Sequence, residues 1–293
     1  MFPFRRLQCK PAFLSPTRLL GSLLPLLWLA TAAPADGAGL SFRIEGRPVK
    51  EVSREALLQA LPAKTLTVEN PANAQVVTYQ GMDLLDLLNL AFGAEWRHYE
   101  LVKFHSRDGY QPVIPRDILL AHRGLVAYRE QGKDDLPPIQ GHRGETIELG
   151  PYFLVWDNRT DAGAKTEPWL SWPWQLVAIE LTRPELAFPK TTPPPAASDE
   201  AKRGFTAFLQ HCIKCHQING EGGDIGPELN YPVNVTEYWQ ADWLPRFIAD
   251  PKAVRQNARM VGFYPGIQNR EAIIRDIVSY LQAMAGRKLA PSP

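Results

Sequence analysis

Short apolar runs separated by turn residues fill the first half of the chain, a pattern that predicts strands interrupted by a few helices. Runs rich in β-branched and aromatic residues predict strands at residues 76–79, 100–104, 151–156 and 175–181. Helical spacing of apolar residues predicts helices at residues 82–92, 53–61 and 116–121. Strand pairs around a few helices indicate an α+β fold.

The last third of the chain instead repeats apolar residues at the 3.6-residue period of α-helices. Three sets share this spacing: Phe205, Phe208, Leu209 and Cys212; Trp239, Trp243, Leu244, Phe247 and Ile248; and Ile273, Ile274, Ile277, Val278 and Leu281. Pro245 lies inside the middle set, and proline disfavours a helix interior. Asn269 stands where a cap of the last helix is expected. We predict an all-α region here.

A proline-rich segment at residues 189–197 separates these two regions and is typical of a semi-rigid extended linker. Directly after it, Ser198 precedes Asp199 and Glu200, which predicts a capped helix start with acidic residues in the first turn. The sequence therefore predicts an N-terminal domain at residues 36–188 and a C-terminal domain at residues 198–293.

Residues 1–35 have the organisation of a secretory signal peptide. Basic residues come first, at Arg5, Arg6, Lys10 and Arg18. An apolar run at residues 19–33 follows, with a small-residue cleavage site that ends at Ala35. The run is shorter than the roughly 20 residues that span a bilayer. We therefore expect export to the periplasm, with membrane association only through a partner or an uncleaved leader.

Removing the leader takes four basic residues and no acidic ones, which changes the formal net charge from +1 to −3. This balance argues against nucleic-acid binding. The leader also contains Cys9, so Cys212 and Cys215 are the only cysteines of the mature chain.

The segment Cys212-Ile213-Lys214-Cys215-His216 has the spacing of a c-type haem attachment site. Each thiol can add to one vinyl group of the porphyrin, and the short tether places His216 as an iron ligand. A redox-active cysteine pair would be expected near a βαβ pattern, and a zinc site needs a second pair of ligands at suitable spacing. Neither context is present, so the motif predicts covalent haem.

Gly204 and Phe208 stand eight and four positions before Cys212, while Ile277 and Tyr280 lie in the last predicted helix. This arrangement resembles class I cytochrome c, over about residues 198–287. In that family a glycine and an aromatic of the first helix pack against an aliphatic and an aromatic of the last. The resemblance implies that Tyr280 contributes to packing of the haem domain.

The same resemblance implies the remaining haem contacts. Pro227, in a Gly-Pro loop, matches the proline whose carbonyl accepts a hydrogen bond from the iron-bound histidine. Met260 lies 44 residues after His216, in the segment before the last helix, where the family places its methionine ligand. The resemblance thus implies one haem c, bound covalently by Cys212 and Cys215, with His216 and Met260 as axial ligands.

Three stretches of the N-terminal region, at residues 78–88, 106–110 and 172–175, resemble the molybdopterin-binding fold of the sulfite oxidase family. Catalytic members of that family bind molybdenum through a cysteine thiolate, and this chain has no cysteine between Leu40 and Thr182. The resemblance therefore supports a fold, which does not by itself carry an activity, and we expect no molybdenum cofactor.

Other features of this region favour structural roles. Four histidines follow no metal-binding spacing: His98, His105, His122 and His142. Asp108-Gly109 predicts a turn between strands. Four tryptophans are interpreted as core residues, with a partner or interdomain surface as the alternative: Trp156, Trp169, Trp172 and Trp174.

Two classes of function remain. The favoured one is a periplasmic electron-transfer protein or redox subunit, whose N-terminal domain docks onto a redox partner such as a dehydrogenase or oxidase subunit. The alternative is an oxidoreductase whose N-terminal domain binds a small substrate or pterin and reduces the haem. Convergent titratable groups in an N-terminal pocket would favour the enzyme, whereas a filled interior with an exposed aromatic patch would favour docking.

Overall fold

The structure is a computed structural model that describes residues 39–141, 144–263 and 266–290. The predicted leader at residues 1–35 and His142 lie outside the described residues. The residues that the structure describes form one compact unit. Across the described ranges, no helix combines the length and the apolar character needed to cross a bilayer.

The described chain contains thirteen strands, all but the last two of them in its N-terminal part. They are β1 (Leu40–Ile44), β2 (Arg47–Val52), β3 (Lys64–Glu69), β4 (Val76–Asp83), β5 (Leu101–Ser106), β6 (Val113–Pro115), β7 (Gly124–Glu130), β8 (Ile139–Gln140), β9 (Thr146–Ile147), β10 (Phe153–Trp156), β11 (Leu176–Thr182), β12 (Gln217–Ile218) and β13 (Glu221–Gly222). The helices are α1 (Arg54–Ala60), α2 (Leu84–Phe92), α3 (Arg116–Ala121), α4 (Pro184–Ala187), α5 (Asp199–His211), α6 (Val235–Tyr238), α7 (Trp243–Ala249), α8 (Pro251–Val254) and α9 (Arg270–Ala285).

Two larger sheets build the N-terminal region, beside the short β8–β9 pair. One has the strand order β2-β1-β11-β5-β6, in which β1 and β11 are parallel and the other neighbours are antiparallel. The other is antiparallel, with the order β10-β7-β4-β3. The predicted α+β N-terminal region and helical C-terminal region are thus confirmed at the level of secondary structure.

The four-stranded sheet is apolar on both faces, which explains its continuous apolar strands. Successive residues of β10 enter different cores: Leu154 packs with α2 and the five-stranded sheet, whereas Phe153 packs on the opposite face. Trp156 is fully buried, and its indole nitrogen donates to the carbonyl of Ser171 at 2.8 Å. The core interpretation holds for this tryptophan.

Strand β5 alternates between two surroundings. Val102 and Phe104 are fully buried in the N-terminal core. Leu101 belongs to the core of the C-terminal region, and the Lys103 ammonium lies 4.7 Å from the centre of the Phe188 ring. The second face of this sheet therefore packs against the C-terminal region.

That second face carries a hydrogen-bonded histidine–glutamate pair between β5 and β11. His105 Nε2 lies 2.7 Å from Glu180 Oε2, and both side chains are largely buried. Burial lowers the pKa of His105, although its hydrogen bond to Glu180 opposes the shift. Contacts with His105 and Lys103 hold the pKa of Glu180 below its usual value, against the effect of burial.

The other described histidines also have structural surroundings. His98 is exposed beside Glu95, and His122 Nδ1 lies 2.5 Å from an oxygen of Asp161. In the part of the chain that the structure describes, no three side chains of the metal-ligating types cluster at one point.

The C-terminal region begins where the sequence predicted. The Ser198 hydroxyl accepts a hydrogen bond from the backbone N–H of Ala201, which caps α5. Two other expectations need correction. Asn269 precedes α9 with φ of 55° and its side chain makes no capping bond, and the middle helix begins at Trp243 rather than Trp239. Pro245 is tolerated because it lies in the first turn of that helix, where N–H groups lack helical partners.

The proline-rich segment is packed against the C-terminal region. Thr191 is fully buried, and its carbonyl accepts a hydrogen bond from the Tyr280 hydroxyl at 2.6 Å. The Arg287 guanidinium donates to the carbonyls of Pro189 and Thr192. These contacts attach the segment to α9 and to the chain that follows it.

Helices α5 and α9 approach each other most closely at Gly204. A Cβ atom at this position would overlap the backbone carbonyl of Asp276 and lie 2.9 Å from the Cβ of Tyr280. On the exposed side of the crossing, both Arg203 nitrogens Nε and Nη2 donate to the Asp276 carboxylate at 2.8 and 3.0 Å. Glycine is required here because backbone meets backbone.

We predict that Gly204→Ala destabilises the protein by about 1–3 kcal/mol, because the added methyl group must separate the two helices. Thermal or urea unfolding measures the change. Thr206→Ala, at an exposed position of the same helix, is the control and should stay within about 0.5 kcal/mol of the wild type. Equal stability of the two variants would contradict the close crossing.

We also predict that the free energy of unfolding falls as the pH is lowered from about 7 to about 5. Because the pKa of His105 is lowered in the folded state, the unfolded chain takes up more protons over this range. His105→Gln should flatten the pH dependence, and His98→Gln, at an exposed position, should leave it unchanged. Urea unfolding at several pH values tests this, and identical slopes for both variants would refute it.

Candidate functional site

Helix α5 ends at the cysteine motif. The backbone N–H of Cys212 donates to the carbonyl of Phe208 at 2.8 Å and closes the last helical turn. The N–H groups of Cys215 and His216 then both donate to the carbonyl of Cys212, at 3.0 and 2.9 Å. The chain therefore folds back on itself immediately after the helix, which keeps both thiols and the imidazole in one compact turn.

The imidazole of His216 is fixed by a hydrogen bond to Pro227. Nδ1 of His216 lies 2.9 Å from the carbonyl oxygen of Pro227. Because a carbonyl can only accept, Nδ1 carries the proton, and Nε2 is the nitrogen with a free lone pair in the neutral ring. This is the hydrogen bond that the cytochrome c resemblance implies. Burial lowers the pKa of His216, which favours the neutral, metal-binding form.

Glycines allow the following loop to lie directly against this turn. A Cβ atom at Gly226 would overlap the His216 ring. At Gly222 it would overlap the carbonyl of His216, and φ of 127° there also excludes ordinary side chains. Gly226 also donates its N–H to the carbonyl of Cys215 at 2.7 Å. The loop thus forms a close-fitting support for one side of the imidazole.

Both thiols are free and half-buried. Burial raises the pKa of Cys212 to about 12 and that of Cys215 to about 11. The thiols are therefore protonated near neutral pH, which is unlike the thiolates of redox-active or nucleophilic cysteines. Two uncharged thiols beside an imidazole with a free Nε2 fit a covalently attached haem.

Met260 lies in the segment between α8 and α9 and is half-buried. Nearby contacts attach this segment to the end of α5. Phe263 donates its backbone N–H to Ile248 at 3.2 Å, and its ring centre lies 4.6 Å from that of His211. Burial lowers the pKa of His211 to about 4. His211 is partly exposed and packs against Phe263.

Tyr280 is fully buried at the centre of the C-terminal core. Its ring centre lies 5.4 Å from that of Phe205 and 5.1 Å from that of Phe208, both on α5. Its hydroxyl bonds to Thr191. Tyr280, on α9, therefore contacts both α5 and the proline-rich segment. Its partner Phe208 lies one helical turn before Cys212.

Residues of the N-terminal region also touch the cysteine motif, and the sequence analysis gave them no role. The backbone N–H of Gln111 donates to the carbonyl of Lys214 at 2.9 Å, and Lys214 Nζ lies 3.3 Å from the Ser171 hydroxyl. Main-chain groups occur at every residue, so no sequence signal could identify the first contact. The presence of a lysine between the two cysteines does not indicate that its ammonium group contacts Ser171.

The model of the cytochrome c family matches residues 201–285. A comparison with curated proteins found no similar sequence. The family match covers α5, the cysteine motif, the Pro227 loop and Met260. Residues 201–285 therefore form a cytochrome c domain, a kind of domain that binds haem c covalently and serves in electron transfer.

Proposed function

We propose that the chain is an exported, periplasmic c-type cytochrome that carries one haem c and transfers single electrons. The observation that carries this proposal is the hydrogen bond from His216 to Pro227 beside the two thiols of the cysteine motif. In the proposal, Cys212 and Cys215 form the thioether bonds. The predicted leader at residues 1–35 supports export.

Haem c, when bound, supplies an iron that changes its oxidation state by one electron. His216 would hold it through Nε2, and the Pro227 carbonyl orients the imidazole and would make it a stronger donor. Met260 is the proposed second ligand. With His216 and Met260 both holding the iron, the site would be closed to substrates and would change little in structure between the two oxidation states.

The N-terminal region is proposed to dock the chain onto a periplasmic redox partner, such as a dehydrogenase or oxidase subunit. Its interior supports this role because two apolar clusters fill the spaces around the four-stranded sheet. The predicted tryptophan surface contributes less, since Trp172 packs against both of these clusters and Trp169 against the C-terminal core. Residues 40–182 contain no cysteine. The usual thiolate ligand of molybdenum is therefore missing from this region.

One observation favours the alternative, in which the N-terminal region binds a small ligand and reduces the haem. A cavity of about 420 Å³ opens in this region. Its walls combine charged and polar side chains with backbone: Arg54, Arg107, Tyr128, Asp135, Leu136, Glu148, Gly150, Pro151 and Gln175. Arg54 is held there by a 2.7 Å hydrogen bond to the carbonyl of Tyr128. Such a cavity has room for a small polar molecule.

We predict that Met260→Ala opens one axial position of the iron and lowers the midpoint potential, because the thioether ligand stabilises the reduced state. Absorption spectra with added cyanide or carbon monoxide, together with spectroelectrochemical titration, measure both effects. Val261→Ala changes the neighbouring, largely exposed residue and is the control. A Met260→Ala protein with wild-type spectrum and potential would exclude Met260 as the ligand.

The docking and enzyme proposals differ in what reduces the purified protein. We predict that sulfite and related small oxyanion donors leave the oxidised haem unreduced, and that reduction needs a periplasmic redox protein that co-purifies with the chain. Steady haem reduction by a small donor alone, lost in Arg54→Gln but kept in Arg246→Gln, would favour the enzyme. Arg246 is exposed in the C-terminal domain, outside the cavity.

A further inference from the structure

A turn of the N-terminal region lies against residues 212–224, which begin with the cysteine motif. This segment is here called the haem-attachment loop, because haem is proposed to be bound there. Residues 106–111, here called the β5–β6 turn, connect the two strands. Gln111 donates its backbone N–H to the carbonyl of Lys214 at 2.9 Å. In the opposite direction, Asp224 of the C-terminal domain donates its N–H to the carbonyl of Gly109 at 3.2 Å. Main-chain bonds in both directions fix the turn relative to the loop.

The turn can reach the loop only because residue 109 is glycine. Gly109 has φ of 91°, where ordinary side chains are strained. A Cβ atom there would also overlap the carboxylate of Asp224. The residue is therefore constrained twice, once by its own backbone and once by the C-terminal domain.

Side chains complete the contact on the Lys214 side of the loop. The Ser171 hydroxyl lies 3.3 Å from Lys214 Nζ and also hydrogen-bonds the Tyr110 hydroxyl. Burial raises the pKa of Tyr110, and Tyr110 lies near Cys215. Tyr110, Ser171 and Lys214 come from three different segments of the chain. They thus lie together beside Cys215.

The turn is itself held rigidly. The indole N–H of Trp174 donates to Asp108 at 2.9 Å, and the backbone N–H of Arg107 donates to the carbonyl of Gln175 at 2.9 Å. Gln175 adopts φ of 52°, a conformation that is strained for a residue with a side chain. The segments 106–110 and 172–175 therefore contact each other, and the first of them lies against the haem-attachment loop.

We propose that the β5–β6 turn and Ser171 are positioning elements that close the haem-attachment loop to water beside Cys215 and thereby raise the haem midpoint potential. The inference rests on the proposed attachment of haem at Cys212 and Cys215. Excluding water disfavours the oxidised haem, because its iron carries one more positive charge than the reduced form. The N-terminal region thus contributes directly to the redox properties of the cytochrome c domain.

Gly109→Ala tests this proposal, with Gly132→Ala as the matched control. Gly132 has a similar φ of 82°, but a Cβ atom there meets nothing within 4 Å. Both variants therefore share the backbone strain, and only Gly109→Ala displaces the turn from Asp224. We expect a lower midpoint potential in Gly109→Ala alone. Equal potentials in the two variants would overturn the proposal.

Ser171→Ala is a milder second variant, which keeps the proposal testable where Gly109→Ala fails to fold. It removes the hydroxyl between Lys214 and Tyr110 without adding an atom, and should shift the potential in the same direction by a smaller amount. An unchanged potential in Ser171→Ala would count against the proposal. The haem content of each protein is measured first, by mass. A wild-type chain without haem refutes the proposed function, whereas haem-loaded variants with wild-type potentials refute only the inference.

Discussion

The close crossing of α5 and α9 at Gly204 is the constraint on which the haem site depends. Gly204 lies eight residues before Cys212, so it shares a face of α5 with Phe208 and with that cysteine. Because the backbones touch there, Phe208 is pressed against Tyr280. The position of Cys212 relative to α9 then follows from helical geometry, and the backfolded turn after it determines where Cys215 and His216 lie.

A second constraint comes from the alternation of side chains along β5. Since successive residues of a strand face opposite sides, this strand contributes to the N-terminal core through Val102 and Phe104 and to the C-terminal core through Leu101. The charged residues of its second face are covered as well, with Lys103 over Phe188 and His105 paired with Glu180. The two regions consequently pack as one unit, and the surroundings of the cysteine motif include residues from both.

The features that local sequence determines were predictable. Ser198 caps α5, α3 has the predicted bounds of residues 116–121, and the cysteine motif follows a helix as expected. In each case a few neighbouring residues carry the signal, through helical period, capping chemistry or motif spacing. The hydrogen bond between His216 and Pro227 could be anticipated only through the family resemblance, because the two residues are separated by a loop.

Features that depend on tertiary packing were not predictable in the same way. Strand β7 was not predicted, and its two faces enter different apolar cores. The proline-rich segment was interpreted as a linker from its composition, which does not reveal that Thr191 is buried under Tyr280. The bonds of Gln111 and Gly109 to the haem-attachment loop use main-chain groups that every residue has, so only the folded structure shows them.

The covalent attachment of haem through Cys212 and Cys215 is tested most directly by the mass of the intact protein. Purified after expression with export and c-type haem maturation, then denatured to remove anything not covalently bound, the chain should be heavier by one iron porphyrin. Replacing both cysteines by alanine should abolish the added mass. An unmodified wild-type chain with two free thiols, produced under the same conditions, would contradict the account.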